Sequence, residues 1–129
     1  MVDYGLFFLA TLGKGDASRS IRSIANEHGL SFAFLQKTAN RLKRAGLVKA
    51  QRGKDGGYFL AKAVPQISMQ EIIEALDGPV AAMDCQLPHA MRARSCPRGP
   101  ICTVRKGLAQ LNEHIKEYTS SKSLSEFIS

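Results

Sequence analysis

The chain lacks any apolar run near the ~18 residues that cross a bilayer. Its most hydrophobic stretch, Leu6-Phe7-Phe8-Leu9-Ala10, is too short for a signal-peptide core and has no basic residue ahead of it, so the cytoplasm is the expected compartment. No basic helix with a broad apolar face stands out, which leaves no membrane partner. Cysteine is scarce, and its count of three is odd, against a disulfide framework. There is no P-loop, no His-Glu-x-x-His and no Ser/His/Asp arrangement, and the three histidines are scattered, so no enzyme is expected. No internal repeat is present. What remains is a chain of 129 residues, 44% hydrophobic and 22% charged, which fits one globular domain or a small domain with an appendage.

Acidic residues are also scarce, but only in one half. Residues 1–62 hold 11 Lys and Arg against 4 Asp and Glu, the whole of the formal excess of seven; residues 63–129 hold seven of each. A basic half beside a neutral half points to a polyanion-binding module joined to something else.

The pattern along the chain is mainly helical. Residues 4–12 read as a buried helix ending at Gly13-Lys14-Gly15. Residues 19–28 read as a second helix, capped by Ser18 or Ser20 and stopped by Gly29. Ser31 caps a third helix running to about Ala45, whose apolar positions Leu35, Ala39 and Leu42 mark one face. Two strand-like runs, 47–52 and 58–61, flank Gly53-Lys54-Asp55-Gly56-Gly57 and read as a hairpin. Ser68 and Glu71 form a capping box that opens a helix through Leu76, broken at Gly78-Pro79. Residues 83–100 read as a loop. A last long helix is expected from about Ile101 to Lys122. This divides the chain into a basic unit of helices and hairpin (1–79), a cysteine loop (80–100) and a helix with a tail (101–129).

Helix, short Gly-containing turn, helix, then basic hairpin is the order of a winged helix-turn-helix. The turn His28-Gly29-Leu30-Ser31 is short enough for the steep crossing that motif needs. Ser31 turns orphan N–H groups and a positive dipole end towards phosphate. Ala33, Gln36, Lys37 and Asn40 lie opposite the apolar face of the third helix. Gln36 can pair bidentately with adenine, and Ala33 can touch a thymine methyl. Arg41, Lys43 and Arg44 can neutralise phosphates. Arg52 and Lys54 sit on the hairpin tip, with Arg52 placed for a minor groove.

In the last helix, Ile101, Val104, Leu108, Leu111, Ile115 and Tyr118 follow spacings of 3, 4, 3, 4 and 3. That is the seam of a helix lying along another helix. It serves either the chain's own domain or a second copy, and a two-fold operator needs a two-fold protein. Gln110, Asn112, Glu113, Lys116 and Glu117 lie off the seam.

Cys85, Cys96 and Cys102 follow the pattern C-x10-C-x5-C, with Pro97, Gly99 and Pro100 compacting the second interval. Arg92, Arg94, Arg98 and Arg105 favour thiolates there. Three thiolates suit an iron–sulfur cluster with one further ligand, zinc with an added His, or plain redox-active thiols.

Five stretches resemble the Rrf2 family of winged helix-turn-helix regulators. They are Ser20-Ile21-Arg22-Ser23-Ile24-Ala25; Phe34-Leu35-Gln36-Lys37; Leu42-Lys43-Arg44-Ala45-Gly46-Leu47-Val48; Arg52-Gly53-Lys54-Asp55-Gly56-Gly57-Tyr58; and Ile67 to Glu71 leading to Ala75-Leu76-Asp77-Gly78-Pro79. The resemblance implies a homodimeric regulator of transcription, often a repressor, that reads a palindromic operator in double-stranded DNA. It places Ser31 to Lys37, Phe34 included, at the start of the groove-reading helix and Arg52 in the minor groove. Gln36 stands where the iron–sulfur branch can carry Glu. The resemblance gives the long helix to dimerisation, crossing to the partner's winged domain. It further implies a 2Fe-2S or 4Fe-4S cluster on the three cysteines, sensing iron, redox or nitric-oxide status. The first cysteine spacing is longer here than in cluster-binding members, and Arg105 stands where one branch has a ligating His. Asp3, in an opening similar to that of the nitric-oxide-responsive branch, is the expected fourth ligand; a helix cap is its other reading, and His89 the runner-up ligand. A regulator without a cluster, acting through thiol redox, zinc or a protein partner, is the alternative.

Overall fold

The computed structural model of the chain describes residues 1–15, 18–53, 56–81, 83–87 and 101–128. Five helices and one hairpin follow in order: α1 (Val2–Gly13), α2 (Ile21–His28), α3 (Phe32–Arg44), β1 (Val48–Gln51), β2 (Gly57–Leu60), α4 (Met69–Asp77) and α5 (Arg105–Ser121). The mainly α, winged helix-turn-helix architecture expected from the sequence is what the chain adopts.

The core lies where α1, α2, α3 and α4 meet. Phe8 and Leu9 of α1, Ile24 of α2, Leu35 and Leu42 of α3, and Ile72 and Leu76 of α4 are all buried. Each such side chain contributes about 1.5–3 kcal/mol by leaving water. The three apolar positions read from α3 all face this core, which leaves the opposite face of α3 outward.

Capping fixes the helix starts. Ser20 Oγ accepts the Ser23 N–H at 3.1 Å, so α2 begins at Ile21, two residues later than the pattern suggests. The backbone of Arg19 is used elsewhere: its N–H donates to the Tyr58 carbonyl at 2.9 Å, and its carbonyl accepts the Tyr58 N–H at 2.7 Å. The connection into α2 is thereby bonded to the edge of the hairpin. Gly29 takes the left-handed conformation (φ 64°) that ends α2 and turns the chain into α3.

The strands pair antiparallel, Val48 opposite Leu60 and Gln51 opposite Gly57. A side chain at Gly57 would collide with the Arg19 carbonyl, and one at Gly56 would lie 2.6 Å from the Gln51 carbonyl oxygen. The Gly-Gly pair is therefore demanded by close backbone approach within the chain.

The capping box at α4 forms as read. Ser68 N–H donates to Glu71 Oε2 (2.9 Å), and Glu71 N–H donates to Ser68 Oγ (3.1 Å). The Lys62 ammonium, 2.5 Å from Glu71 Oε1, and then the Ser68 N–H hold the Glu71 carboxyl below its usual range.

Two features differ from the pattern. The long helix starts at Arg105 rather than Ile101, because Thr103 and Val104 form a turn; Val104 at the cap position offers no side-chain cap. The apolar spacing of Ile101 and Val104 thus belongs to the approach to the helix. The tail after α5 returns to the first unit. Lys122 carbonyl accepts the Met69 N–H (2.9 Å), Leu124 N–H donates to the Ile67 carbonyl (2.7 Å), and Leu124 is fully buried in the core.

Candidate nucleic-acid interface and cysteine loop

The outward face of α3 begins at its cap. Ser31 Oγ accepts the Phe34 N–H at 3.3 Å, and Phe32, Ala33, Phe34, Lys37 and Asn40 are exposed beyond it. Two exposed aromatics are held from below. Phe34 packs edge-on against Tyr4 of α1 with ring centres 4.7 Å apart, and the Arg22 guanidinium of α2 lies 4.9 Å over Phe32. The start of α3 is therefore braced by both α1 and α2.

Residues 31–53 hold six cations and no carboxylate. Lys37, Lys43, Arg44, Lys49 and Arg52 are exposed. Arg41 is half-buried, and its Nη1 donates to the Leu76 carbonyl at 2.6 Å, at the C-terminal end of α4 where a cation meets the negative end of the dipole. Nearby Glu27 is paired with Arg19, whose guanidinium lowers the Glu27 pKa. Lys54 lies outside the described residues, so the wing is described only to Gly53 and again from Gly56.

Gln36 is half-buried rather than fully outward. Its Nε2 donates to Asn40 Oδ1 and to the Tyr58 hydroxyl, both at 3.3 Å. The tyrosine ring stands edge-on to Phe8, with centres 5.6 Å apart. Tyr58 thus joins the wing, the recognition helix, α1 and the segment before α2. In the sequence only the Gly-Gly pair before Tyr58 hints at this junction, and it marks a close approach without saying of what. The Arg41 bond to α4 was equally hidden, since spacing along α3 cannot reveal a partner 35 residues away.

The cysteines are only partly in view. Cys85 lies in the 3₁₀ turn Asp84–Gln86, which packs against α5; Cys102 lies just before the turn that leads into α5; both are half-buried. Cys96 and His89 lie outside the described residues. Among the described residues, no group of three or more His, Cys, Asp or Glu side chains comes together. Asp3 lies in the first turn of α1, exposed, 3.2 Å from the Met1 ammonium; Met1 rather than Asp3 is the cap position. The Tyr4 N–H, and next the ammonium, lower its pKa. His28 ends α2, with Nε2 3.2 Å from Thr11 Oγ1, and His114 is exposed on α5.

The expected seam divides into two rows. Val104, Leu111 and Tyr118, seven residues apart, are 59%, 50% and 58% exposed, and Ile101 is 80% exposed. Leu108 and Ile115 are half-buried, on a helix that packs against α4. Asn112, read as off the seam, is buried, as is Thr119, whose hydroxyl donates to the Ile115 carbonyl (2.9 Å). Among the described residues every buried side-chain polar atom has a partner, so that inner face is polar but satisfied. No helix among the described residues is long and apolar enough to cross a membrane.

Comparison with known proteins matches this arrangement. A family model described as "Rrf2: Iron-dependent Transcriptional regulator" covers residues 1–129. The chain is similar to the HTH-type transcriptional regulator IscR of Photorhabdus laumondii, 32% identical over 108 residues, which are 84% of this chain and 63% of that protein. It therefore spans less than two thirds of that relative's length. Among solved structures it is similar to CymR, the global cysteine regulator of B. subtilis (TM-score 0.75, 28% identity, 98% of this chain and 91% of that one). It is also similar to T. potens IscR (TM-score 0.72, 27% identity, 98% and 81%).

Proposed function

The chain belongs to the Rrf2 family of transcriptional regulators, and from that premise we propose that it is a cytoplasmic homodimer that reads a palindromic operator and represses or releases transcription according to the state of its cysteine loop. The observation that carries the DNA reading is the acid-free outer face of α3 with its wing. Ser31, Ala33, Phe34, Gln36, Lys37 and Asn40 line the helix start, and Arg52 and Lys54 belong to the wing. Helix N-terminal residues enter the major groove in this motif, and a wing arginine suits a narrow minor groove. Arg41 joins the phosphate-neutralising set with Lys43 and Arg44 once its bond to α4 is exchanged for a phosphate oxygen.

The exposed row Val104, Leu111 and Tyr118 supports the dimer. An apolar heptad row left uncovered in one protomer is stabilised by a second copy, and two recognition helices then meet half-sites about 34–36 Å apart.

For the sensor, the donor chemistry fits an iron–sulfur cluster. Cys85 and Cys102 lie at the two ends of the loop, with α5 packed against the Cys85 turn, and their thiolates are the ligands iron prefers. Cys96 would be the third ligand and Asp3 of the partner subunit the fourth. A bound cluster supplies a redox-active, nitric-oxide-reactive centre. The chain itself supplies the connection: the Cys85 turn packs on α5, α5 packs on α4, and the α4 C-terminus takes Arg41 from α3. Displacement of the turn would therefore reach the recognition helix, and it regulates only if one position binds DNA better than the other. Similarity to the cysteine regulator CymR favours a second reading, in which the thiols act without a metal.

Anaerobic reconstitution with iron and sulfide tests the sensor. A coloured protein with iron and sulfide bound, lost in Cys85→Ser and Cys102→Ser, supports the cluster. A colourless protein removes it and leaves the thiol reading. Either way, operator binding by the reconstituted and metal-free forms tests the DNA reading separately.

A further inference from the structure

The hydrogen bonds around Gln36 change what it can show to a base. A glutamine amide has one acceptor oxygen and two N–H donors. Here both donors are engaged within the chain, one by Asn40 Oδ1 on the same exposed helix face and one by the Tyr58 hydroxyl. Only Oε1 is left to face outward. The bidentate pairing with adenine needs an N–H for N7 as well as an oxygen for the N6 amino group. While Tyr58 holds its share, that fork is incomplete. In hydrogen-bonding terms Gln36 then behaves as a carboxylate does, as a pure acceptor, and the major-groove partner of a pure acceptor is an exocyclic amino group, above all N4 of cytosine.

Tyr58 is built to hold this arrangement. Its backbone is bonded in both directions to Arg19, and its ring rests on Phe8, which is fully buried. Tyr58 is thus held by two contacts other than Gln36, the segment before α2 and α1. The close approach at Gly57 that permits the Arg19 pairing serves the same end.

We infer that Tyr58 is a specificity-positioning residue. By engaging the Gln36 amide it makes the recognition helix select cytosine, whose N4 amino group needs only an acceptor, over adenine, whose N7 would be left without a donor, at the position Gln36 meets. This rests on the reading that α3 enters the major groove. It assigns Tyr58 no base contact of its own.

The test is selection from a random double-stranded DNA library by the full chain and its variants, read by sequencing, with thermal unfolding to confirm that each variant folds. The wild-type chain should enrich cytosine at one position of each half-site. Gln36→Glu, a true pure acceptor, should keep that preference, and Gln36→Ala should lose it. Tyr58→Phe should free one N–H, complete the adenine fork and move the preference from cytosine to adenine by roughly fivefold or more. A Tyr58→Phe protein that binds more weakly but keeps the wild-type preference overturns the inference, because Tyr58 is then only a packing residue. If Gln36→Ala shifts the preference and Tyr58→Phe does not, the inference fails and the groove reading stands. If Gln36→Ala shifts nothing, both fail.

Discussion

The α3–wing region and the α5 region are built on opposite plans. Residues 31–53 carry cations alone, and their base-facing and phosphate-facing groups are held by other parts of the chain: Ser31 by its own helix, Gln36 by Tyr58, Phe34 by Tyr4, Arg41 by α4. α5 carries charges of both signs and buries a polar face of Asn112 and Thr119, while its heptad row of Val104, Leu111 and Tyr118 stays outside. Apart from Arg41, which must leave the Leu76 carbonyl to meet a phosphate, the first region is already held in place for a rigid polyanion. The second leaves an apolar row exposed among the described residues, the kind of face a second helix would cover. Preorganisation suits a reader that must hold a few side chains in register, and an incomplete helix face suits assembly.

Breaking each plan gives different results. The largest effect should come from Leu124→Ala, which opens a cavity in the shared core and should lower stability by about 2–5 kcal/mol in urea unfolding. Leu111→Ala on the outer row should weaken self-association in sedimentation while leaving the protomer fold intact. Equal effects of the two on protomer stability would erase the distinction. Next, Arg52→Ala should weaken operator binding by about 1–3 kcal/mol at matched salt; unchanged affinity removes the wing from the reading surface. Ser31→Ala should cost about 1 kcal/mol of stability through the lost cap, and Ser31→Asp should restore it. The smallest effect is on pH. Glu71 has a lowered folded pKa, so its contribution is present above the unfolded value and is lost as pH falls through the lower folded value. Stability should decline below about pH 4.5, and Glu71→Gln should flatten that decline; an identical acid profile would contradict it.

The difference between the regions also explains what could be read in advance. The caps Ser31 and Ser68, the Gly29 turn and the inward face of Leu35, Ala39 and Leu42 are local signals that depend on neighbours within four residues, and are legible in the sequence; the cap of α2 was legible only as Ser18 or Ser20. The start of α5 was not, because Ile101 and Val104 keep the helical spacing while the backbone there is a turn. Asn112 looked like a surface residue because polarity alone does not tell a satisfied buried amide from a solvated one. Leu124 gave no sign that the tail returns to Ile67. At the site, the types of residue on α3 were evident, but their availability was not. Gln36 and Arg41 are engaged by Tyr58 and Leu76, partners set by tertiary packing at separations of 22 and 35 residues.

The central claim is that the acid-free face of α3 and its wing read DNA. It is tested most directly by titrating the full chain against an operator chosen from a random duplex library, and against a scrambled duplex, over a range of salt. The account predicts a steep fall of affinity with salt for both duplexes and a preference for the operator of roughly a thousandfold or more. Equal affinity for the two duplexes, or no salt dependence, would contradict it.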